Sequence, residues 1–512
     1  MRAGGARLVA AGILLSRIFG LVRQRVTAHY LGAGPVADAV AAAFRIPNLL
    51  QNLFGEGSLS ASFIPVYAKL LAEGRKEDAG RVAGTILALL AALVAVVVLL
   101  GVAFAPQLVW LLAPGLAIET QELATGLIRI ILPGLGLLVV SAWCLGVLNA
   151  HRRFFLSYAS PVLWNLAIIV AVIWQGHGVG AGQAELATVV AFASVVGSVL
   201  QLAVQVPSVL LLDRSLRIGA GTARAEVTTV LRNFGPAVAT RGVVQLSAYA
   251  DTLIASLLGA GALATLTYAQ AISLLPVSLF GMSIAASELP AMSGATGSRE
   301  EIAEALRTRL ASGRARIAYF VIPSVVGLVV FGRVMASALY EGGAFTHDDA
   351  MWVWAALAGS GVGLLASTTG RLYASASFAL RDTATPMRFA TLRVALAAAL
   401  GLTLAMTLPE RFGWAPQVGI GLLTAASGLA AWLEYRLLRA HIDREVGALP
   451  SMGTLPMQLW SAAIAAAALG VGVAALLPAL HPFLEAAAVL GSYAAAYLAL
   501  TRVTGADRAR RA

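Results

Sequence analysis

Cysteine occurs once in this chain, at Cys144, which excludes an intramolecular disulfide and a cysteine-built metal cluster. Histidine is nearly as thin. His29, His151, His177, His347, His441 and His481 are scattered, without the spacing that metal ligands need. No nucleophile elbow and no paired-carboxylate centre occurs, so no catalytic residue, metal or cofactor is expected and the chain does not read as an enzyme. Charge is the third scarcity. Only 12% of the 512 residues are Asp, Glu, Lys or Arg and 59% are hydrophobic, where soluble domains carry about 25% charged residues. That excludes a soluble globular protein and makes lipid the main solvent. The formal net charge of +11 does not indicate a nucleic-acid partner, because the basic residues recur in short loops rather than in one patch.

What is present is a succession of long apolar runs. At about 20 apolar residues per membrane span, fourteen spans are expected: 7–32, 35–72, 82–112, 122–150, 156–175, 184–211, 228–258, 262–292, 315–339, 351–376, 386–408, 415–438, 457–478 and 482–502. The fold class is therefore an all-α polytopic membrane protein. The second run carries breakers at Pro47 and at Gly55-Glu56-Gly57. Arg2 and Arg7 precede the first run in the manner of a signal peptide. Arg17 interrupts it and no small-residue cleavage site follows, so it reads as a retained first helix.

The Lys/Arg distribution sets the orientation. With a cytoplasmic N-terminus, the segments expected inside hold twenty-eight of the 36 basic residues, and the outside loops hold Arg411 alone. The other seven, Arg17, Arg23, Arg25, Arg45, Arg129, Arg241 and Arg333, lie within apolar runs. Both termini are then cytoplasmic. The link Ser298–Arg307 reads either as a short amphipathic helix on the membrane surface or as a solvated connector. Asn233-Phe234-Gly235-Pro236 opens the seventh run as a faint echo of the first. Two six-helix halves, 1–220 and 221–445, followed by two added helices in 446–512, would fit it.

The opening hairpin is the most informative stretch. A charge at mid-bilayer costs about 3 kcal/mol on insertion scales, yet Arg17, Arg23, Arg25, Asp38 and Arg45 all fall in the first two runs. Asp38, Arg45 and Asn52 are spaced by seven and share one helix face, with Asn48 one turn from Arg45. Arg17 and Gln24 share a face of the first helix in the same way. Such stripes belong against a watery interior. Two readings compete. One is an anion-binding cavity, since the guanidinium fork matches phosphate oxygens. The other is a set of internal ion pairs that pins helices together. Four arginines against one aspartate favour the cavity.

Asp251 in the seventh run could bind a cation or proton coupled to transport, or pair with Arg241. Gln245 precedes it, and Glu288 lies late in the eighth run. Arg129 reads as a brace or a snorkelling residue. Gly359-Ser360-Gly361-Val362-Gly363 has the letters of a phosphate loop, but it lies in an apolar run with no strand before it, so close helix packing is expected there.

Several motifs carry a resemblance: Ser16-Arg17-Ile18-Phe19-Gly20-Leu21-Val22-Arg23, Leu31-Gly32-Ala33-Gly34, Ala37-Asp38-Ala39, Phe44-Arg45-Ile46-Pro47-Asn48-Leu49-Leu50 and the stretch from Phe54 to Val66. Further along come Ala113-Pro114-Gly115, Arg129-Ile130-Ile131-Leu132-Pro133, Leu148-Asn149-Ala150, Tyr340-Glu341-Gly342-Gly343-Ala344-Phe345 and Leu380-Arg381-Asp382-Thr383-Ala384-Thr385-Pro386. To about residue 445 the chain resembles the MurJ/MviN family of lipid II flippases, within the multidrug/oligosaccharidyl-lipid/polysaccharide exporter superfamily.

The resemblance implies two six-helix lobes around a central cavity and two C-terminal helices beside a groove for a polyprenyl tail. It implies a bacterial inner-membrane flippase that moves lipid-linked peptidoglycan precursor, lipid II, to the outer leaflet. Membrane lipids and cell-wall synthesis proteins are the other implied partners. Family cavity positions carry over at Arg17, Arg23, Asp38 and Asn48, with Arg45 at a basic position and Arg25 as a compensating neighbour. The chain departs from the family at Gln24, Gln51 and Ala271, where relatives usually carry charge. Asp251 matches a position that helps hold sodium in some relatives, but the eleventh run offers only apolar residues from Val394 to Gly401 as partners. An exporter of another polyprenyl-linked glycolipid, or a non-transporting scaffold of the same fold, are the alternatives.

Overall fold

A computed structural model describes residues 3–213, 215–217, 224–294, 298–478 and 480–510. Its contacts divide the chain into two compact units, Met1–Leu253 and Ile254–Ala512. The first holds α1 (Ala3–Leu31), α2 (Pro35–Phe54), α3 (Glu56–Ala72), α4 (Lys76–Ala103), α5 (Ala105–Leu112), α6 (Ile118–Ala150), α7 (Phe154–Ala159), α8 (Pro161–Ile173) and α9 (Gln183–Leu212). Helix α10 (Arg224–Ser256) ends just beyond the boundary. The second holds α11 (Ala262–Pro276), α12 (Ser283–Ser293), α13 (Arg299–Tyr340), α14 (His347–Ala379), α15 (Ala384–Phe412), α16 (Val418–Val446), α17 (Leu455–Leu476) and α18 (Pro482–Val503).

Among the described residues, eleven segments are long and apolar enough to cross a membrane. The expected first, second and seventh spans fall outside that set; they are α1, the α2–α3 pair and α10. Together these account for the fourteen spans read from the sequence, and the chain is an all-α polytopic membrane protein. The three outside the set are the helices that carry the candidate site residues.

Breaks occur where the backbone loses a hydrogen bond or a side chain. Pro47 sits inside a continuous α2, and the interruption falls at Gly55, where a non-helical backbone (φ −83°, ψ −149°) separates α2 from α3. Pro161 starts α8 after a one-residue break at Ser160. A π-helical turn at Val277–Met282 follows Pro276 and divides the eighth span. The Ser298–Arg307 link is the first turns of α13 itself, fixed by a capping box in which Ser298 Oγ accepts from the Glu301 N–H and Glu301 accepts from the Ser298 N–H.

In the first unit α6 is central, packing against α2, α3, α4 and α9. Ser141, Ser160, Gln201 and Gln205 form a buried hydrogen-bonded chain across α6 and α9, with links of 2.6–2.8 Å. In lipid such polar pairs join helices where apolar contact gives little preference. In the second unit α14 is central, packed on α13 and α16. Within the Gly359–Gly363 stretch, Gly359 and Gly363 face α16 and Gly361 faces Val325 and Val329 of α13. A Cβ at Gly363 would overlap the Gly428 backbone, so these glycines permit backbone-to-backbone approach. The packing expected of this stretch is what the helices show.

Tyr340–Phe345 is a tight turn. Gly342 and Gly343 hold φ of 133° and 63°, values that L side chains rarely adopt. Phe345 is thereby folded back against Tyr268 and Tyr340.

The last two helices dock on α13 through a proline. Pro323 has no N–H, so the Tyr319 carbonyl four residues earlier loses its helical donor. Tyr497 Oη–H of α18 donates to that carbonyl at 2.6 Å, and Tyr493 Oη–H donates to the Pro323 carbonyl at 2.7 Å. Both tyrosines are almost fully buried in a cluster with Tyr319 and Phe331. Tyr497→Phe removes one such bond at nearly constant shape. It is expected to cost about 1–2 kcal/mol, read as a lowered midpoint of thermal unfolding in detergent. An unchanged midpoint would mean that the carbonyl finds another donor.

Candidate functional site

The polar stripe of α2 emerges gradually along the helix. Asp38 is fully buried in the first turn, Arg45 is half-buried and Asn52 is exposed. A carboxylate in the first turn also faces the positive end of the helix dipole. Asn48, one turn beyond Arg45, is exposed.

Arg23 of α1 is oriented by α8. Its Nε–H donates to Asn165 Oδ1 at 2.9 Å, and its guanidinium lies 5.0 Å from the centre of the Trp164 ring. Asn165 is itself pinned, donating through Nδ2 to the Pro161 carbonyl at 3.0 Å, and it is buried. Trp164 also meets Phe44 on α2 edge-to-face, the ring centres 6.1 Å apart. One indole therefore ties α1, α8 and α2 together around a guanidinium.

Arg45 is oriented by α10. Its Nε–H donates to Thr252 Oγ1 and its Nη2–H to the Ala248 carbonyl, each at 2.7 Å. Thr252 is fully buried. Asp251, next in sequence to Thr252 and half-buried, lies near enough to act electrostatically on Arg45. The side chain of Arg241, the alternative partner for Asp251, lies outside the described residues.

The acceptors in these bonds are an amide, a hydroxyl and a carbonyl, and the platform is an indole ring. Such partners fix the direction of a guanidinium without cancelling its charge. Arg17 and Arg25 are exposed on α1. The structure thus places Arg23 against α8 and Arg45 against α10, with Asp38 buried one helix segment before Arg45.

The sequence reading did not single out Asn165, Trp164 or Thr252. Asn165 had a legible sign, an amide inside an apolar run. Trp164 and Thr252 had none. Among the other intramembrane charges, Glu288 is paired. It is buried and held by Arg316 at 3.2 Å and Arg309 at 3.5 Å. Arg333 donates to His347 Nε2 at 3.1 Å, and Arg129 is exposed on α6.

The sequence profile of the family described as lipid II flippase MurJ matches residues 27–497. The lipid II flippase MurJ of Burkholderia cenocepacia is 31% identical over 476 residues, 91% of this chain and 89% of its own. The probable lipid II flippase MurJ of Rickettsia prowazekii is 28% identical over 447 residues, 86% of this chain and 84% of its own. Among solved structures, a lipid II flippase MurJ in an inward closed conformation superposes with a TM-score of 0.77. It is 22% identical and covers 98% of this chain and 99% of its own. An inward-facing multidrug transporter of the MATE family gives a TM-score of 0.68, at 18% identity, over 84% of this chain and 95% of its own.

Proposed function

We propose that this chain, which belongs to the lipid II flippase MurJ family, moves an undecaprenyl-pyrophosphate-linked peptidoglycan precursor across the bacterial inner membrane. The observation that carries the reading is a pair of intramembrane guanidiniums oriented by side chains and carbonyls of neighbouring helices, Arg23 on Asn165 and Trp164, and Arg45 on Thr252 and Ala248. A diphosphate offers several oxygens to planar N–H forks, and Arg fits them in a way Lys does not. Arg17, Arg25 and Asn48, exposed on the same two helices, are assigned to the same headgroup. Asp38 is assigned the orientation of the arginines and the limiting of positive charge when the site is empty.

The lobes 1–220 and 221–445, the added helices in 446–512 and cytoplasmic termini are part of this reading. The polyprenyl tail stays in lipid while the headgroup crosses by alternating access. Direction requires that affinity differ between the inward- and outward-open states. Asp251 is assigned a place beside Arg45 as the group through which a cation or proton acts on it.

The test is complementation. The chain is expressed in a bacterium depleted of its own lipid II flippase, and lipid II in the outer leaflet is measured. Restored growth with restored outer-leaflet lipid II is the expected result. A well-inserted protein that restores neither points instead to another polyprenyl-linked glycolipid or to a scaffold.

A further inference from the structure

A cavity of about 380 Å³ lies in the C-terminal unit, where the early part of α13, the end of α16 and the start of α17 come together. It is separate from every residue assigned above. Its polar side is Arg314 and Arg439; its apolar side includes Ile322, Leu365 and the rings of Trp432 and Trp460.

Arg314 is only 7% exposed. One terminal nitrogen, Nη2, donates to the Pro450 carbonyl at 2.6 Å. Its Nε is buried and has no hydrogen-bond partner among the described residues. A buried charged donor without an acceptor is costly, and the cavity it lines is where an acceptor would sit. Arg439 lies across the cavity, 3.4 Å from Asp443. Two guanidiniums beside one carboxylate leave the site net cationic.

The location adds a second constraint. Arg314 immediately precedes the apolar run of α13, Arg439 follows that of α16, and Trp460 lies in the first turns of α17. All three belong to the face that the Lys/Arg distribution assigns to the cytoplasm. Indole rings beside arginines at such a level match the boundary between headgroups and acyl chains.

We infer that this cavity binds an anionic phospholipid of the cytoplasmic leaflet. Its phosphate lies on Arg314 and Arg439, and the first part of an acyl chain lies along Ile322, Leu365 and Trp460. A free phosphate would satisfy only the polar side and leave the apolar side empty. The inference stands apart from the transported substrate.

Native mass spectrometry of the full chain in detergent, titrated with phosphatidylglycerol or phosphatidylcholine, tests it. The expected result is one bound phosphatidylglycerol held about tenfold more tightly than phosphatidylcholine, two arginines at headgroup level being enough for such a preference. Arg314→Gln with Arg439→Gln should abolish the preference. Ser451→Asp, which sets a carboxylate at the exposed rim without touching the buried arginine, should reduce it in a chain whose core is unaltered. Equal binding of the two lipids by the unaltered chain would overturn the assignment. So would a preference that survives Ser451→Asp, or displacement of the lipid by millimolar inorganic phosphate alone.

Discussion

A chain carrying both Arg23→Ala and Arg45→Ala is expected to insert normally and to support lipid II transport at least ~100-fold more slowly, each charged hydrogen bond being worth about 1.5–3 kcal/mol. Insertion should survive because the acceptors of these bonds keep hydrogen bonds of their own. Asn165 keeps its bond to the Pro161 carbonyl, and Thr252 keeps its own to the Ala248 carbonyl at 2.7 Å. These acceptors are neutral, and a neutral group that keeps a second bond costs less than a charge left alone; Asp251 is the nearby carboxylate that Arg45→Ala leaves less balanced. Arg23→Lys separates charge from shape. It keeps the cation but loses the Nε–H to Asn165 and the flat face on Trp164, so transport should fall between the two extremes. Asn165→Ala should be milder again, because it frees the guanidinium to rotate without removing it. The assay is outer-leaflet lipid II in depleted cells, with protein level in the membrane as control. Full transport by the double alanine variant would show that the two arginines serve packing alone.

The second large effect is structural. Gly363→Val places a side chain where the Gly428 backbone of α16 already stands. The helices must separate along the most extensive contact in the second unit. Overpacking a core costs about 1–3 kcal/mol when side chains can shift, and here the obstacle is backbone, so the cost sits at or above the upper end. The expected outcome is little folded protein at ordinary growth temperature, and an unfolding midpoint lower by roughly 5 °C or more in whatever is recovered. Gly472→Val is the control. Nothing lies within 4 Å of a Cβ at Gly472, and surface changes of that kind usually stay within about 0.5 kcal/mol. Equal midpoints for the two variants would mean that α14 and α16 do not meet as described.

The same glycines illustrate what a sequence reveals about such a fold. The span count was legible because lipid imposes one length and one composition on every crossing helix. Gly359–Gly363 could be assigned to packing because its apolar setting excluded a loop. The break in the second run was placed less sharply. Interruptions were expected at both Pro47 and Gly55-Glu56-Gly57, and helix α2 tolerates the proline while the backbone leaves the helical region at Gly55. Arg23 and Arg45 were legible as buried charge, since cost alone marks them. Their partners were not. Asn165 is 142 residues from Arg23, and Thr252 is 207 from Arg45. No local periodicity links positions so far apart, and a threonine inside a helix most often bonds only to its own backbone.

Pro323 couples two parts of the molecule. The Tyr319 carbonyl of α13, deprived of its helical donor, takes the hydroxyl of Tyr497 from α18, and Tyr493 adds a second bond at the Pro323 carbonyl. A shortened version ending after α16 would present the Tyr319 oxygen to hydrocarbon with no water to receive it. Pro323→Ala would return an amide hydrogen to that oxygen from within α13 itself. The proline and the last helix are thus matched, one leaving an acceptor vacant and the other supplying its donor.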